Sequence, residues 1–421
     1  MSDEVRSYDV YDIAVVGGGA AGTMAAIRAS ALKKRVVLIE SNDSIGKKIL
    51  ITGKGRCNLT NTAPIDVFIE KFGRQGKFLR SAFFNFFNED LIDFFRSKGM
   101  EVKAERQGRV FPATDKARSV VEVLARCLKE GKVEQLYNAT LLKIKKKDDI
   151  FDLEIEGGRL IKAKNVILAT GGASYKATGS TGSGFRIAAD LGHEITPLKP
   201  ALVPLKVREE WVKSLQGIAL ENVRLTFEYD KKRHFTDVGE IIFTHFGASG
   251  PLILDNSGDI MAVLGRHKEI RLLIDLKPGL RSSQLEERLL RDFRENGKVS
   301  LKSVMKNYLP QRLIAVFLDI AGVNGTKASS QITQKERRAL IAVFKAFPLT
   351  ITGALPLEDA MVTAGGVALR DIDPRTMESR IIPGLYFAGE IIDGAASSGG
   401  YNLQQAFSTG YLAGQSAAER Q

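Results

Sequence analysis

The sequence predicts an α/β protein: a domain in two parts built on a parallel sheet, interrupted by an inserted mostly-β domain with a helical part. Three observations predict it. An apolar strand, a glycine-rich turn and a helix-forming run open the chain in "DIAVVGGGAAGTMAA", Asp12 to Ala26. The middle third changes to alternating strands and helical stretches flanked by prolines, and the end of the chain returns to the glycine-rich style of the start. At 421 residues the chain exceeds one ordinary core, so two or three domains are expected.

Taken in order, Ile13 to Val16 reads as a buried parallel strand and Thr23 to Ala31 as a helix, with a tight turn between them. Gly17, Gly19 and Gly22 fit G-x-G-x-x-G: one glycine for the turn, one for close approach to a pyrophosphate, one for helix–strand packing. Amides at the helix start would face the phosphates. A second apolar strand, Arg35 to Glu40, ends in an acid at the spacing of about 20 residues where ribose hydroxyls would sit. The combination is Rossmann-like; the alternative is an ordinary βαβ turn.

A basic, glycine-rich loop follows, "GKKILITGKGRCNLTN" from Gly46 to Asn61, and then a Phe-rich segment whose Asn88 would cap a helix stopping near Gly99. Its phenylalanines between Phe83 and Phe95 read as core packing. From Val133 short strands with turn signals lead to an apolar strand ending in Ala-Thr-Gly-Gly, and "KIKKKDD", Lys143 to Asp149, reads as a solvated hairpin turn. Such a meander returns the chain to its main sheet. Residues 1–196 form the first part and 197–347 the insert, bounded by prolines at 197, 200 and 348; residues 348–421 form the second part. The insert carries strands in "VRLTFEYD" and "EIRLLIDL" and helical stretches at Gln284 to Glu295 and Gln334 to Phe347.

In the second part a short strand, Leu385 to Ala388, precedes Gly389, Glu390 and Asp393. A glycine there admits a cofactor to the backbone, and an acid can accept from a ribityl hydroxyl. Gly399 and Gly400 then precede a helix from Leu403 to Ala418, whose start would stabilise negative charge on a flavin. A return to the same cofactor at the end of the chain points to a flavin over a nicotinamide. The alternative is a strand and helix that merely pack.

Apolar residues make up 44% of the chain and charged residues 26%, as in soluble globular proteins. No segment reaches 18 consecutive apolar residues, and "MSDEVRSYDVYD" lacks the shape of a signal peptide, so the expectation is a cytoplasmic protein without a membrane partner. Two cysteines, Cys57 and Cys127, make neither a disulfide framework nor a cysteine-based zinc site, and no metal is expected. The net charge is +12, and residues 197–347 hold 25 Lys/Arg against 17 Asp/Glu. That excess suits an anionic substrate or nucleic acid. Scattered solvated faces explain it equally well, and no aromatic-basic recognition motif is visible, so nucleic acid ranks below a small-molecule substrate.

"GKKILITGKGRCNLTN", "ATGGASYKATGSTGSG", "FTHFGASGP", "TAGGV" and "TMESRIIPGLYFAGEIIDG" with "GGYNLQQA" carry a resemblance over nearly the whole chain. It resembles bacterial FAD-dependent oxidoreductases described variously as aminoacetone oxidases or as bile-acid-type enone reductases, the BaiN family. The resemblance implies FAD in a two-part Rossmann-like domain. It implies Gly17, Gly19, Ala21 and Gly22 at the pyrophosphate and Glu40 at the adenosine ribose. Lys48, Thr52, Gly55, Arg56, Cys57 and Asn58 would line phosphate and isoalloxazine, and Leu141 would flank adenine. Thr170, Gly171 and Gly172 match the turn beside the cofactor; Gly389, Glu390 and Asp393 match the ribityl site. Gly400, Tyr401, Asn402, Leu403 and Gln404 match the pyrimidine end. Lys54 stands where the family often has glycine.

Flavin carries the redox chemistry, so the protein has to position a substrate and handle a proton. His245, at a Gly-rich turn where an insert would meet the cofactor domain, is the candidate for proton transfer; the alternative is a structural histidine. Arg109 could bind a carboxylate or polarise a carbonyl, or else pair with Glu105. Cys57 beside Arg56 suggests a thiolate, yet no second cysteine lies two to five residues away, which speaks against a disulfide reductase. The leading expectation is hydride transfer from NADH or NADPH, bound transiently, through FAD to an electron-poor double bond. An amine oxidase using oxygen and an RNA-associated flavoprotein are the alternatives.

Overall fold

A computed structural model describes residues 10–230 and 232–420; the residues up to Asp9, read above for a targeting signal, lie outside the described residues. The chain divides into two compact units, Met1–Ala201 with Leu357–Gln421, and Leu202–Pro356.

The first unit is built on a seven-stranded sheet. Its strands are β1 (Tyr11–Val16), β2 (Val36–Ile39), β6 (Glu134–Leu136), β7 (Leu141–Lys147), β8 (Ile150–Ile155) and β9 (Leu160–Leu168), in the order β6-β2-β1-β9-β8-β7, with Leu385–Phe387 parallel on β9. Between β2 and β6 a small antiparallel sheet holds β3 (Thr60–Asn61), β4 (Val102–Ala104) and β5 (Arg109–Pro112) in the order β3-β5-β4. The central strands are continuous apolar runs, as expected of parallel strands covered on both faces: Ile13, Val15, Val37 and Ile167 are fully buried. The meander β7–β8–β9 is antiparallel, and β9 then runs parallel to β1.

Helix α1 (Ala20–Ala31) follows β1, and α2 (Tyr401–Glu419) lies against it. Small residues allow the close approach: a Cβ at Gly410 would lie 2.2 Å from the Ala21 carbonyl oxygen, and one at Gly414 2.4 Å from that of Ala25. The Phe-rich segment is core, as read, in Phe83, Phe86 and Phe95, whereas Phe84 is 65% exposed with Arg80 over its ring. The helix there, Asn88–Ser97, begins one residue earlier than a cap at Asn88 implies. Phe87 occupies the cap position, and its N–H donates to Asp90 Oδ2 at 2.7 Å.

The second unit is a closed barrel of β10 (Leu205–Val207), β11 (Ala219–Tyr229), β12 (Lys232–Phe243), β13 (Gly247–Ser249), β14 (Ile270–Asp275) and β15 (Phe347–Ala354), in the order β10-β13-β12-β11-β14-β15. β15 closes antiparallel on β10. Leu225, Phe227, Ile241, Leu272, Ile274, Leu349 and Ile351 are fully buried, alternating with outward polar residues. Helices Pro251–Leu264, Ser282–Glu295, Gln311–Ala321 and Gln334–Lys345 complete the unit.

The insert boundaries differ from those read at 197 and 347. Lys199–Ala201 pairs with Val362–Ala364 inside the first unit, which keeps Pro197 and Pro200 there. Phe347 opens β15, with Pro348 opposite Leu273, so a proline taken as a boundary lies at a strand start, where a missing N–H is tolerated. Among the described residues no helix is long and apolar enough to cross a membrane.

Candidate functional site

Parallel pairing sets the site. Val16 pairs with both Ile39 and Leu168, and Phe387 pairs with Leu168, so four neighbouring strands end level. Gly17, Glu40, Thr170 and Gly389 all follow those carboxyl ends, where open α/β sheets bind ligands.

At the first turn, Gly17 has φ 106°, and a Cβ there would lie 2.3 Å from the Ala169 carbonyl oxygen. A Cβ at Gly22 would lie 1.8 Å from the Gly17 carbonyl oxygen. Gly19, by contrast, has nothing within 4 Å of that position: the turn is jammed on the protein side and open on the other. Ala21, on the first turn of α1, would touch a Cβ at Gly389 at 2.8 Å, so the C-terminal return reaches the same place. Glu40 is buried; its Oε2 accepts from the Gly18 N–H at 2.5 Å and its Oε1 from the Asn42 N–H at 2.8 Å.

The glycine-rich loop joins this turn through the Gly46 N–H, which donates to the Gly18 carbonyl at 2.8 Å. Lys48 Nζ lies 2.8 Å from Glu390 Oε2 and 2.9 Å from Ser174 Oγ, while Glu390 Oε1 accepts from the Thr363 N–H at 2.8 Å. Gly172 lies against the same carboxylate, 2.7 Å from its Oε1 by a Cβ placed there, and Gly171 has φ 75°. Thr52 Oγ1 donates to the Ile49 carbonyl and its own carbonyl accepts from the Cys57 N–H. Lys54, flanked by Gly53 and Gly55 at φ 56° and 84°, adopts φ 59°. A left-handed backbone costs an L-residue about 1–2 kcal/mol, which accounts for glycine as the usual occupant.

At the other end, a Cβ at Gly400 would lie 2.4 Å from the Thr60 carbonyl oxygen, and Asn61 Nδ2 donates to the Gly399 carbonyl at 3.0 Å. β3 thereby holds the start of α2. Asn402 ties the preceding loop, its Oδ1 accepting from the Ala396 N–H and its Nδ2 donating to the Ala396 carbonyl, both at 2.9 Å. Leu403 is half-buried on the first turn. Arg109 stands directly opposite Asn61 on β5, so the two side chains share a face. Its Nε donates to the Arg106 carbonyl at 3.2 Å and it makes no ion pair among the described residues.

Several expectations change. Glu105 is not the partner of Arg109; it pairs with Arg56, which also takes Asp115 and lies 4.1 Å over the Phe111 ring. Arg56 is thus spent on acids and holds the Glu105 carboxyl below the usual range. Cys57 is fully buried, and burial pushes its thiol up to about 12, the opposite of a thiolate. Leu141 is turned into the core; just before it the Ala139 N–H donates to the Glu40 carbonyl at 3.0 Å and the Asn138 N–H to the Asn42 carbonyl at 2.8 Å. Gln404 is fully buried with Nε2 on Ser408 Oγ at 3.0 Å, and Tyr401 packs on Phe68 at 4.7 Å between ring centroids, so both face the interior. Asp393 is half-buried, and desolvation raises its carboxyl. His245 belongs to the second unit and is exposed, its ring 4.8 Å from Phe246. Ser174, Asn61 and Thr363 were missed, although each stands one to three residues from a glycine already singled out or inside a quoted motif.

The residues present fit FAD. Among the described residues Asn58 Oδ1, Thr170 Oγ1 and Ser397 Oγ are buried without a hydrogen-bond partner, on the loops that surround the two helix starts. Open space at Gly19 and first-turn amides of α1 complete an anion cradle.

Such a cradle, closed by the last helix of the chain, defines a Rossmann-type FAD-dependent oxidoreductase. The chain belongs to the family described as HI0933-like protein Rossmann domain, which matches residues 11–416. It is 34% identical over 410 residues to the 3-dehydro-bile acid delta(4,6)-reductase of Clostridium scindens, covering 97% of this chain and 99% of that protein. It is 29% identical over 408 residues to the ribosomal RNA dihydrouridine synthase of Escherichia coli, covering 96% and 97%. The fold is shared with 3-ketosteroid delta1-dehydrogenase from Sterolibacterium denitrificans, at TM-score 0.55 and 14% identity over 97% of this chain and 99% of that one.

Proposed function

We propose that the protein reduces a carbon–carbon double bond conjugated to a carbonyl, with NADH or NADPH as transient electron donor. FAD, when bound, supplies the hydride. The Gly17–Gly22 turn would hold its pyrophosphate, Glu40 its ribose, Glu390 and Asp393 its ribityl chain, and the start of α2 its pyrimidine end. The observation that carries the reading is Arg109, a guanidinium without an ion pair among the described residues, set opposite the asparagine that anchors the α2 start. Its N–H groups would hold the substrate carbonyl and stabilise the charge that develops on oxygen as the β-carbon accepts hydride. A proton delivered to the α-carbon completes the reduction.

The two curated relatives support this chemistry from different sides. A delta(4,6)-reductase saturates ring double bonds, and making dihydrouridine saturates the C5=C6 bond of uracil, which is itself conjugated to the C4 carbonyl. A second reading follows: the conjugated carbonyl is a pyrimidine in RNA. The net charge of +12 favours it, because phosphates seek such a surface.

Anaerobic stopped-flow mixing of the FAD-loaded protein with NADH and NADPH, followed by 2-cyclohexenone or a uridine oligonucleotide, tests both. The expected result is bleaching of the flavin absorbance by a nicotinamide and its return with one acceptor. Bleaching by neither removes the proposed donor; return only with oxygen would leave an oxidase. Arg109→Gln should slow the acceptor step about 100-fold while bleaching is unaffected.

A further inference from the structure

We infer that the outer face of the second unit's barrel, around the β11–β12 hairpin, binds single-stranded RNA, with Phe235 stacking a base and Lys232, Arg233 and Arg271 on the phosphates. The inference rests on the pyrimidine reading for its choice of RNA, and it concerns a surface apart from the flavin cradle.

Pairing places these side chains together. Across the strands Arg233 lies opposite Glu228, and Glu228 opposite Arg271, so the three share one outward face. Arg233 Nε is 2.8 Å and Arg271 Nη1 3.5 Å from the single Glu228 carboxylate, which therefore neutralises only one of two guanidinium groups. Phe235 stands two residues beyond Arg233 on the same face, opposite Thr226, and is 59% exposed. A phenyl ring left in water on a strand is a flat apolar platform beside cations.

Basic hollows lie beside the row of Arg233, Glu228 and Arg271. A shallow hollow of about 390 Å³ is lined by Glu228, Tyr229, Lys232, Arg233 and Arg271. A second, of about 340 Å³, is lined by Leu264 to Lys268 and Thr352, including Arg266 and Lys268. His267 links them, its Nε2 3.0 Å from Asp230 and its ring 6.4 Å from Tyr229. Lys232, Arg266 and Lys268 make no ion pair among the described residues.

Sequence-tolerant binding of single strands uses this combination, a cationic track with an aromatic face on which a base stacks. A duplex would leave the ring idle, because its base faces are covered. An acidic protein would answer the charge but has no use for a solitary exposed phenyl at the end of the row.

The test is fluorescence anisotropy of a labelled uridine-rich 15-mer titrated with the full-length, FAD-loaded protein at several salt concentrations. Phe235→Ala should weaken binding about 5- to 100-fold, and Phe235→Tyr should keep it. The triple variant Lys232→Gln, Arg233→Gln, Arg271→Gln should lower the log–log salt slope by about 2. Flavin absorbance and far-UV circular dichroism report folding, and should Phe235→Ala misfold, the charge variant carries the test alone. Variants that bind as tightly as a wild type that binds RNA would overturn the surface and leave the pyrimidine reading standing. A wild type that binds no RNA overturns both. Equal affinity for polyglutamate-competed and uncompeted complexes supports RNA, whereas displacement by polyglutamate at matched charge overturns it in favour of an acidic protein.

Discussion

Lys48 and Glu390 make the most exposed claim at the scale of single residues. They are 342 positions apart in sequence, 2.8 Å apart in space, and only 24% and 19% exposed. Removing the cation leaves a carboxylate bound to Ser174 and the Thr363 N–H but short of its charge partner. Lys48→Met should destabilise the protein by about 1–3 kcal/mol in urea unfolding. Lys48→Met with Glu390→Gln should recover part of the loss, since no unpaired charge then remains; a double variant no better than the single would show that the ion pair itself is not the reason. Both residues were legible, because glycine-rich motifs mark positions along the chain. Direction was not. Leu141 and Gln404 fall at positions the resemblance assigns to the cofactor yet turn into the core, and Cys57 is buried beside an arginine that is occupied by Glu105 and Asp115. Spacing says where a residue falls, whereas the partners that aim its side chain come from strands far away in sequence.

Between elements, the crossing of α1 and α2 depends on atoms that are absent. Gly410→Ala would push a methyl to 2.2 Å from the Ala21 carbonyl oxygen, a backbone group that cannot rotate away. The expected loss is about 1–3 kcal/mol. Gly258, in the helix Pro251–Leu264, is the control: a Cβ there meets nothing within 4 Å, so Gly258→Ala should stabilise by about 0.5–1 kcal/mol. Opposite signs from the same chemical change, read from unfolding midpoints, would establish that packing decides. Equal effects would sink the account of the crossing. The opening βαβ, the meander and the final helix were legible from apolar runs and glycines, with that helix starting at Tyr401 rather than Leu403. Barrel closure was not, because β10 pairs with β15 from the far end of the insert, and no local pattern announces a partner about 150 residues away.

For the molecule as a whole, acid sensitivity and independent folding follow from named groups. His193 is buried between the Ala188 carbonyl, 3.1 Å from Nδ1, and Ser379 Oγ, 2.7 Å from Nε2. A carbonyl only accepts, so Nδ1 carries the proton and Nε2 accepts from the hydroxyl, and burial holds the imidazole below its ordinary pKa of 6.5. As pH falls through 6.5 the unfolded chain gains a proton that the folded chain refuses, so stability is present above that value and lost below it. Melting temperature should therefore drop more between pH 7 and 5.5 in the wild type than in His193→Gln; parallel curves would remove His193 as the cause. The second unit makes the larger claim. Its two ends meet, Leu205 pairing with Ala354 and the Leu355 N–H donating to the Pro204 carbonyl at 3.1 Å. It owns a separate core that includes Leu225, Phe317, Phe344 and Ile351, and its barrel leaves no edge unpaired. Residues 202–356 expressed alone should therefore fold, with a single cooperative urea transition of about 5–15 kcal/mol. A broad transition with dye binding to exposed apolar surface would mean that this core is incomplete without the rest of the chain.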